Sequence, residues 1–178
     1  MEIQKLSTKY IVRKLDDADI EKVYEVMQGN PQYFQYCPPM ATRQSIAEDM
    51  RALPPRMKYE DKNYVGYFEE DKLVAIMDLI LNFPNQETAF IGFFMMDKTY
   101  QRKGVGTEIF EGCCKTLIDE GYQYIRLGFA KGNPQSEGFW LKNGFARTGV
   151  EDVQERYTVV VMEKQLKTPT TYDKISLN

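Results

Sequence analysis

Met96-Asp97-Lys98-Thr99-Tyr100-Gln101-Arg102-Lys103-Gly104-Val105-Gly106-Thr107 is the stretch on which the reading of this chain turns. It follows an apolar, strand-like run over residues 90–96 and opens an amphipathic pattern that lasts to residue 120. A strand therefore runs into a loop with two glycines and basic residues, and then into a helix. The first turn of a helix leaves main-chain N–H groups without partners, and the aligned peptide dipoles add partial positive charge there. Glycine lets a bulky anion approach the main chain closely. The stretch reads as a phosphate cradle.

Working outward narrows the kind of cradle. A P-loop needs a Gly-Lys-Ser or Gly-Lys-Thr ending, and none occurs. A dinucleotide fingerprint needs a third Gly or an Ala, but Gly104-Val105-Gly106 continues to Ile109. The pattern that fits is Q/R-x-x-G-x-G, met by Gln101, Gly104 and Gly106 behind a Met96-x-x-x-Tyr100 lead-in. Further on stands Asn133-Pro134-Gln135-Ser136-Glu137-Gly138-Phe139-Trp140-Leu141-Lys142-Asn143-Gly144-Phe145. It matches N-x-x-A-x-x-x-Y-x-K-x-G-F in spacing without a gap. With these two segments the chain resembles the GCN5-related N-acetyltransferase (GNAT) superfamily, of the bacterial small-molecule or peptide type. The resemblance covers roughly residues 10–166.

Composition sets outer bounds. A length of 178 residues implies one domain with a sizeable core. A net charge of −3 argues against nucleic acid as a partner. Histidine is absent. That excludes Ser-His-Asp and Cys-His catalysis and imidazole metal sites, so no metal is expected. A general base must be a carboxylate, a tyrosine, a lysine, or water held by backbone groups. Cys37, Cys113 and Cys114 form no C-x-x-C and read as reduced thiols, with a cytoplasmic location expected. The N-terminus lacks a signal-like apolar stretch, and no segment approaches the ~20 apolar residues that span a bilayer, so no membrane partner is expected.

Along the chain, residues 10–14 read as a strand. Asp16 or Asp17 caps a helix with Ile20, Val23, Tyr24 and Met27 on one face, ended by Gly29-Asn30-Pro31. Thr42 caps a second helix carrying Ile46, Met50 and Leu53, stopped by Pro54-Pro55. Residues 64–69 and 72–81 read as strands, and residues 88–96 as a third. Gly92 inside that third strand points to a bulge or a close backbone approach. Val105, Ile109, Cys113 and Leu117 share a row on a helix that Gly121 ends. A strand at 124–129, a helix from Pro134 to Gly144 and a strand at 157–162 follow. The polar tail at 167–178 is expected to be mobile. The fold class is α/β with a mixed sheet, as a single domain over residues 1–178 with its core at about 10–166.

The resemblance implies the GNAT acyl-CoA N-acyltransferase fold, with acetyl-CoA held between two splayed central strands. The pantetheine arm would bond to main-chain groups of Phe94, Met95 and Met96. The diphosphate would meet the main chain of Gln101, Arg102, Lys103, Gly104, Val105, Gly106 and Thr107. Arg102 or Lys103 would add charge, or form a solvated basic pair. Asn133 would bond the pantetheine, or cap the helix before Pro134. Trp140 departs from the pattern. A tyrosine usually stands there as the acid that protonates the leaving thiolate, and an indole N–H cannot do so near neutral pH. Packing in the core or along the cofactor wall accounts for the tryptophan.

The implied reaction is transfer of an acetyl group to a primary amine of a small molecule or peptide, by direct attack in a ternary complex. Glu87 and Asp78 are the candidate bases. Each also reads as an ordinary charge, on a loop or on the wet face of a sheet. Tyr33, Phe34 and Tyr36, with the 42–53 helix and the strand near Asp78, would build the acceptor site. A non-catalytic acyl-CoA sensor of the same fold is the alternative, and a Rossmann or P-loop enzyme is disfavoured by both failed fingerprints. A homodimer stays open.

Overall fold

The apolar run at residues 73–80 lies in a strand buried almost throughout, and the sheet is built around it. The computed structural model describes residues 1–166; the tail at 167–178 lies outside the described residues. In chain order the elements are β1 (Ile11–Lys14), α1 (Ile20–Gln28), α2 (Pro31–Tyr36), α3 (Arg43–Asp49), β2 (Lys62–Glu69), β3 (Lys72–Ile80), β4 (Thr88–Met96), α4 (Val105–Asp119), β5 (Tyr124–Ala130), α5 (Pro134–Lys142), β6 (Ala146–Val153) and β7 (Thr158–Gln165). The strands form one mixed sheet in the order β1-β2-β3-β4-β5-β7-β6. Among the described strands only β4 and β5 pair in parallel, and α4 is their crossover.

The helix boundaries follow from local chemistry. Asp16 accepts from the Ala18 amide at 2.9 Å and opens the turn that leads into α1. Thr42 and Ser45 form a reciprocal cap on α3. Asn133 caps α5, with Pro134 at its first position. Two elements are not legible as such in the sequence. Pro31, which ends α1 by pattern, also starts the short α2, because its fixed φ suits a first helical turn. β6 lies exposed along its whole length at the sheet edge, so it carries no alternation to read.

Two apolar layers clamp the sheet. One face packs against α4 and α5 through Ile109, Phe110, Cys113, Leu117, Trp140 and Phe145. The other packs against α1 and α3 through Val23, Val26, Met27, Ile46 and Met50. Cys113 and Cys114 are buried, and burial raises both thiols. They act as small core residues.

The arrangement that matters for function lies at the middle of the sheet. β4 and β5 pair from Thr88↔Tyr124 to Ile91↔Leu127 and then part. Beyond that point β4 continues along β3, and β5 along β7. Each diverging strand is held by its other neighbour, so the gap is a fixed feature of the fold. Gly92 is the extra residue of a bulge at that point, since Asp78 pairs with Phe93 and Leu79 with Ile91.

Candidate active site

The gap exposes main-chain groups. Asp97 N–H donates to Val74 C=O at 2.9 Å, which sets the alternation of the β3–β4 ladder. Phe93 and Met95 then aim their polar groups at β3, while those of Phe94 and Met96 face the side that β5 has left. The Met96 carbonyl already accepts from Asn30 Nδ2 at 3.0 Å and Gln101 Nε2 at 3.1 Å. The Phe94 groups and the Met96 N–H remain for a ligand.

The loop after β4 supplies a second set of donors. Gly104 adopts φ +82° as the residue preceding α4, a conformation open to glycine at little cost. Among the described residues, no protein acceptor meets the main-chain N–H groups of Arg102, Lys103, Gly104, Val105, Gly106 or Thr107. At Gly106 any Cβ would stand 2.7 Å from Met96 Sδ and 3.1 Å from the Phe139 ring, so this turn must lie close to the wall of the gap.

These groups border a cleft of about 600 Å³. Phe94, Met95 and Met96 form one wall, and Gln101, Arg102, Gly104, Gly106 and Thr107 its floor. Asn133, Ser136, Phe139, Trp140 and Lys142 close the other side. Lys98, Arg102 and Lys142 are its charged residues, and among the described residues no carboxylate lines it. A cleft with this charge and this row of amides suits a polyanion with an extended polar arm.

A second cavity, of about 360 Å³, lies on the α1–α3 face. Its walls include Tyr33, Phe34, Cys37, Asp49, Tyr64, Asp78, Gly92, Phe93 and Tyr157. Its charge is opposite: two aspartates line it, and among the described residues no lysine or arginine does. Asp78 is 8% exposed and takes Lys62 Nζ on Oδ2 at 2.8 Å. Its Oδ1 has no partner among the described residues, nor has the hydroxyl of Tyr64, which stands opposite on β2. Burial raises the Asp78 carboxyl, and Lys62 draws it partly back. Partial burial also raises Asp49, a residue that stays exposed at the rim of the cavity. Contact with Cys37, then partial burial, pushes the Tyr157 phenol up to about 12. Tyr33 lines both cavities, its ring held edge-on against Phe93 at 5.8 Å.

A family model described as "Acetyltransferase (GNAT) family" matches residues 22–145. The chain belongs to the acetyltransferase (GNAT) family. The curated S-(2-succino)cysteine N-acetyltransferase of Bacillus subtilis (strain 168) is 24% identical over 105 residues, covering 56% of this chain and 64% of that protein. The chain thus spans less than two thirds of that relative's length. Among solved structures, an acetyltransferase from Thermus thermophilus superposes with a TM-score of 0.71 at 18% identity, covering 87% of this chain and 96% of that one. The PaiA N-acetyltransferase of Thermoplasma acidophilum in complex with coenzyme A gives 0.63 at 19% identity, covering 86% and 97%. At these identities the structures bear on the GNAT fold alone, and the sheet topology agrees with it.

The candidate residues fall into distinct groups in this GNAT chain. Phe94, Met95, Met96, Gln101, Arg102, Gly104, Gly106, Thr107 and Asn133 all line the larger cleft. Lys103 and Val105 do not: Lys103 is exposed and Val105 packs toward the core. Met95 turns its main chain to β3. The Gln101 side chain braces Asn30 at 2.7 Å rather than serving as a free donor. Asn133 caps α5, accepting from Ser136 N–H at 3.1 Å through Oδ1, so its Nδ2 is the end left for a ligand. Trp140 is 6% exposed and packs against Phe94, Phe110, Phe139 and Phe145.

Asp78, Tyr33 and Phe34 meet in the smaller cavity, and Tyr36 does not line it. Glu87 is separated from both cavities. It is exposed beside the start of β4, roughly 30 Å from that strand's far end at ~3.3 Å per residue, and its carboxylate accepts from Gln123 at 2.9 Å. Asn30, Lys98, Lys142, Asp49, Tyr64 and Tyr157 border the two cavities without being singled out by the sequence. Asp49 carries a readable signal, since it lies three residues from the buried Ile46 on α3. Tyr64 and Tyr157 carry none, because strand register and the β6–β7 turn bring them in.

Proposed function

We propose that this GNAT chain transfers an acetyl group from acetyl-CoA to a primary amine bound in the smaller cavity. The observation that carries this reading is the pair of adjoining cavities of opposite charge, one rich in free amides and cations and the other lined by carboxylates, with Tyr33 as their shared wall. The cleft residues fit the coenzyme. The amides of Arg102, Gly104, Gly106 and Thr107 would hold its diphosphate, with Lys98, Arg102 and Lys142 around it, and the Phe94 and Met96 main chain would bond its arm. Bound there, acetyl-CoA supplies an activated acyl carbon and a thiolate leaving group.

The chain's own groups do the rest. Asp78 stands opposite Phe93 on the neighbouring strand, one residue from the Phe94 amide. An amine in the cavity can therefore meet a carboxylate on one side and the thioester on the other. Its lone pair forms the new C–N bond, the C–S bond breaks, and the surplus amine proton passes to Asp78, directly or through water. The Phe94 N–H holds the carbonyl oxygen as charge builds there. A thiol of pKa about 8.5 leaves as thiolate without an acid at residue 140, taking a proton from solvent.

The test is a thiol-release assay over an amine panel that includes S-(2-succino)cysteine, with calorimetric titration of CoA. CoA binding with amine-dependent release supports the reading. CoA binding with no turnover on any amine favours the acyl-CoA sensor. Failure to bind CoA overturns both.

A further inference from the structure

We infer that the acceptor is an aliphatic amine bearing a second ammonium group and no carboxylate, with that second group held by Asp49. The inference rests on the transfer reading above and names its substrate class. Three observations carry it. First, among the described residues the smaller cavity has no cation to offer. The one nearby, Lys62, is itself buried and committed to Asp78 at 2.8 Å. A carboxylate on the acceptor would enter a space already holding two aspartates, with nothing to pair with.

Second, the two carboxylates of the cavity are engaged differently. The Lys62 ammonium compensates Asp78, whereas Asp49 has no ion-pair or hydrogen-bond partner among the described residues. Asp49 stands exposed at the rim of the cavity, where its carboxylate is free to meet a ligand's second ammonium, apart from the carboxylate that takes the reaction's proton.

Third, buried polar atoms at this site wait for a partner. Asp78 Oδ1 and the Tyr64 hydroxyl belong to residues 8% and 5% exposed, and neither is hydrogen-bonded among the described residues. Unsatisfied groups of this kind are costly unless a ligand or water completes them. Neither atom has open surface, so a nitrogen meets them only where the cavity wall shifts to admit it. Between these polar ends the walls are Tyr33, Phe34, Phe93 and Tyr157, faces that favour methylenes and ammonium groups. At about 30 Å³ for each water-sized group, the volume of about 360 Å³ admits a chain of roughly a dozen non-hydrogen atoms.

Three probes on one carbon skeleton separate the claims: pentylamine, 1,5-diaminopentane and lysine. The diamine should exceed pentylamine in kcat/KM by about fivefold, the effect of one ion pair at an exposed rim. Lysine, the same diamine with a carboxylate added, should fall below it by at least as much. Asp49→Asn should bring the diamine-to-monoamine ratio toward one, and Asp49→Glu should keep it high. Lysine equal to or better than the diamine overturns the inference, as does an unchanged ratio in Asp49→Asn. If no amine is acetylated although CoA binds, the transfer reading fails instead. The acceptor class is then judged by calorimetry with CoA present: tighter binding of the diamine than of pentylamine, lost in Asp49→Asn, upholds it, and equal binding overturns it.

Discussion

Gly92 and Asp78 face each other across the bulge between β3 and β4, and a Cβ on residue 92 would stand 2.8 Å from Asp78 Oδ2. That oxygen is not a loose chain end, because Lys62 Nζ holds it at 2.8 Å. Gly92→Ala should therefore force the carboxylate off Lys62. The expected cost is about 1–3 kcal/mol, the usual range for overpacking. In a chain of this size that is a melting temperature lower by roughly 2–12 °C. Turnover should fall further than stability explains, since the displaced group is the proposed proton acceptor. A variant with wild-type kcat would separate Asp78 from the chemistry.

Lys62 and Asp78 give a pH prediction whose sign can be worked out. Burial raises the Asp78 carboxyl and Lys62 lowers it. Lys62→Met removes the lowering influence, so the folded-state pKa rises. Turnover needs Asp78 ionised, so the acid limb of the pH–rate profile should move to higher pH. A group with a raised folded pKa contributes stability that is fully present below the unfolded value, about 3.9, and is lost as pH rises through the folded value. The variant should therefore be most destabilised at neutral pH, by about 3–5 kcal/mol for a buried pair cut in half, and least in acid. Chemical denaturation at pH 4 and pH 7 checks this. A larger loss at pH 4 would contradict the assignment.

The larger cleft was far more legible than the smaller cavity, and the reason is range. The stretch at 96–107 and the segment at 133–145 are contiguous in sequence, and each builds its part of the cleft from its own turn and helix. Gly92 was also readable, since a strand glycine has few physical explanations. The acidic cavity draws on α2, α3, β2, β3, β4 and the turn before β7. Only register brings Tyr64 opposite Asp78, and only the sheet order brings Tyr157 near Cys37. Glu87 is a charge beside the cofactor strand in sequence, but strand direction places it at the end away from both cavities. The edge strand β6 escaped because a fully exposed strand has no apolar phase to read.

Gly104 and Gly106 should fail in different ways. An added Cβ at Gly104 meets nothing within 4 Å, so Gly104→Ala acts only through φ +82°, at a cost of about 1–2 kcal/mol in holding the left-handed turn. Its expected signature is weaker CoA binding with a native circular dichroism spectrum. At Gly106 the new atom collides with Met96 Sδ and the Phe139 ring. Gly106→Val should narrow the cleft itself and raise the Kd for CoA by more than Gly104→Ala does. Unchanged CoA affinity in both variants would remove this loop from the cofactor site.

Trp140 occupies the position where the family resemblance implies an acid. Its ring packs against Phe110 and Phe145 at 5.6 and 5.2 Å, a core role that phenylalanine fills only in part. Trp140→Phe should cost about 1–3 kcal/mol of stability and keep kcat within about tenfold. A loss of about 10³-fold in kcat, in the range attributed to a lost general acid, would mean that the indole N–H takes part in the departure of the thiolate.

Asn133 combines two roles on two atoms, so they can be separated. Oδ1 caps α5 through the Ser136 amide, and Nδ2 is the donor proposed for the pantetheine arm. Asn133→Asp keeps a capping oxygen and replaces the donor with a second acceptor. Asp and Asn cap about equally well, so stability should hold within about 0.5 kcal/mol. CoA affinity should fall, because the arm then meets an acceptor where it needs a donor, and because a negative charge enters a cleft lined by Lys98, Arg102 and Lys142. Asn133→Ala removes both functions and should lose about 1 kcal/mol of stability along with affinity. Thermal melts set beside calorimetric titration of CoA read the two effects independently. Equal CoA affinity in Asn133→Asp and the parent would leave residue 133 as a helix cap alone.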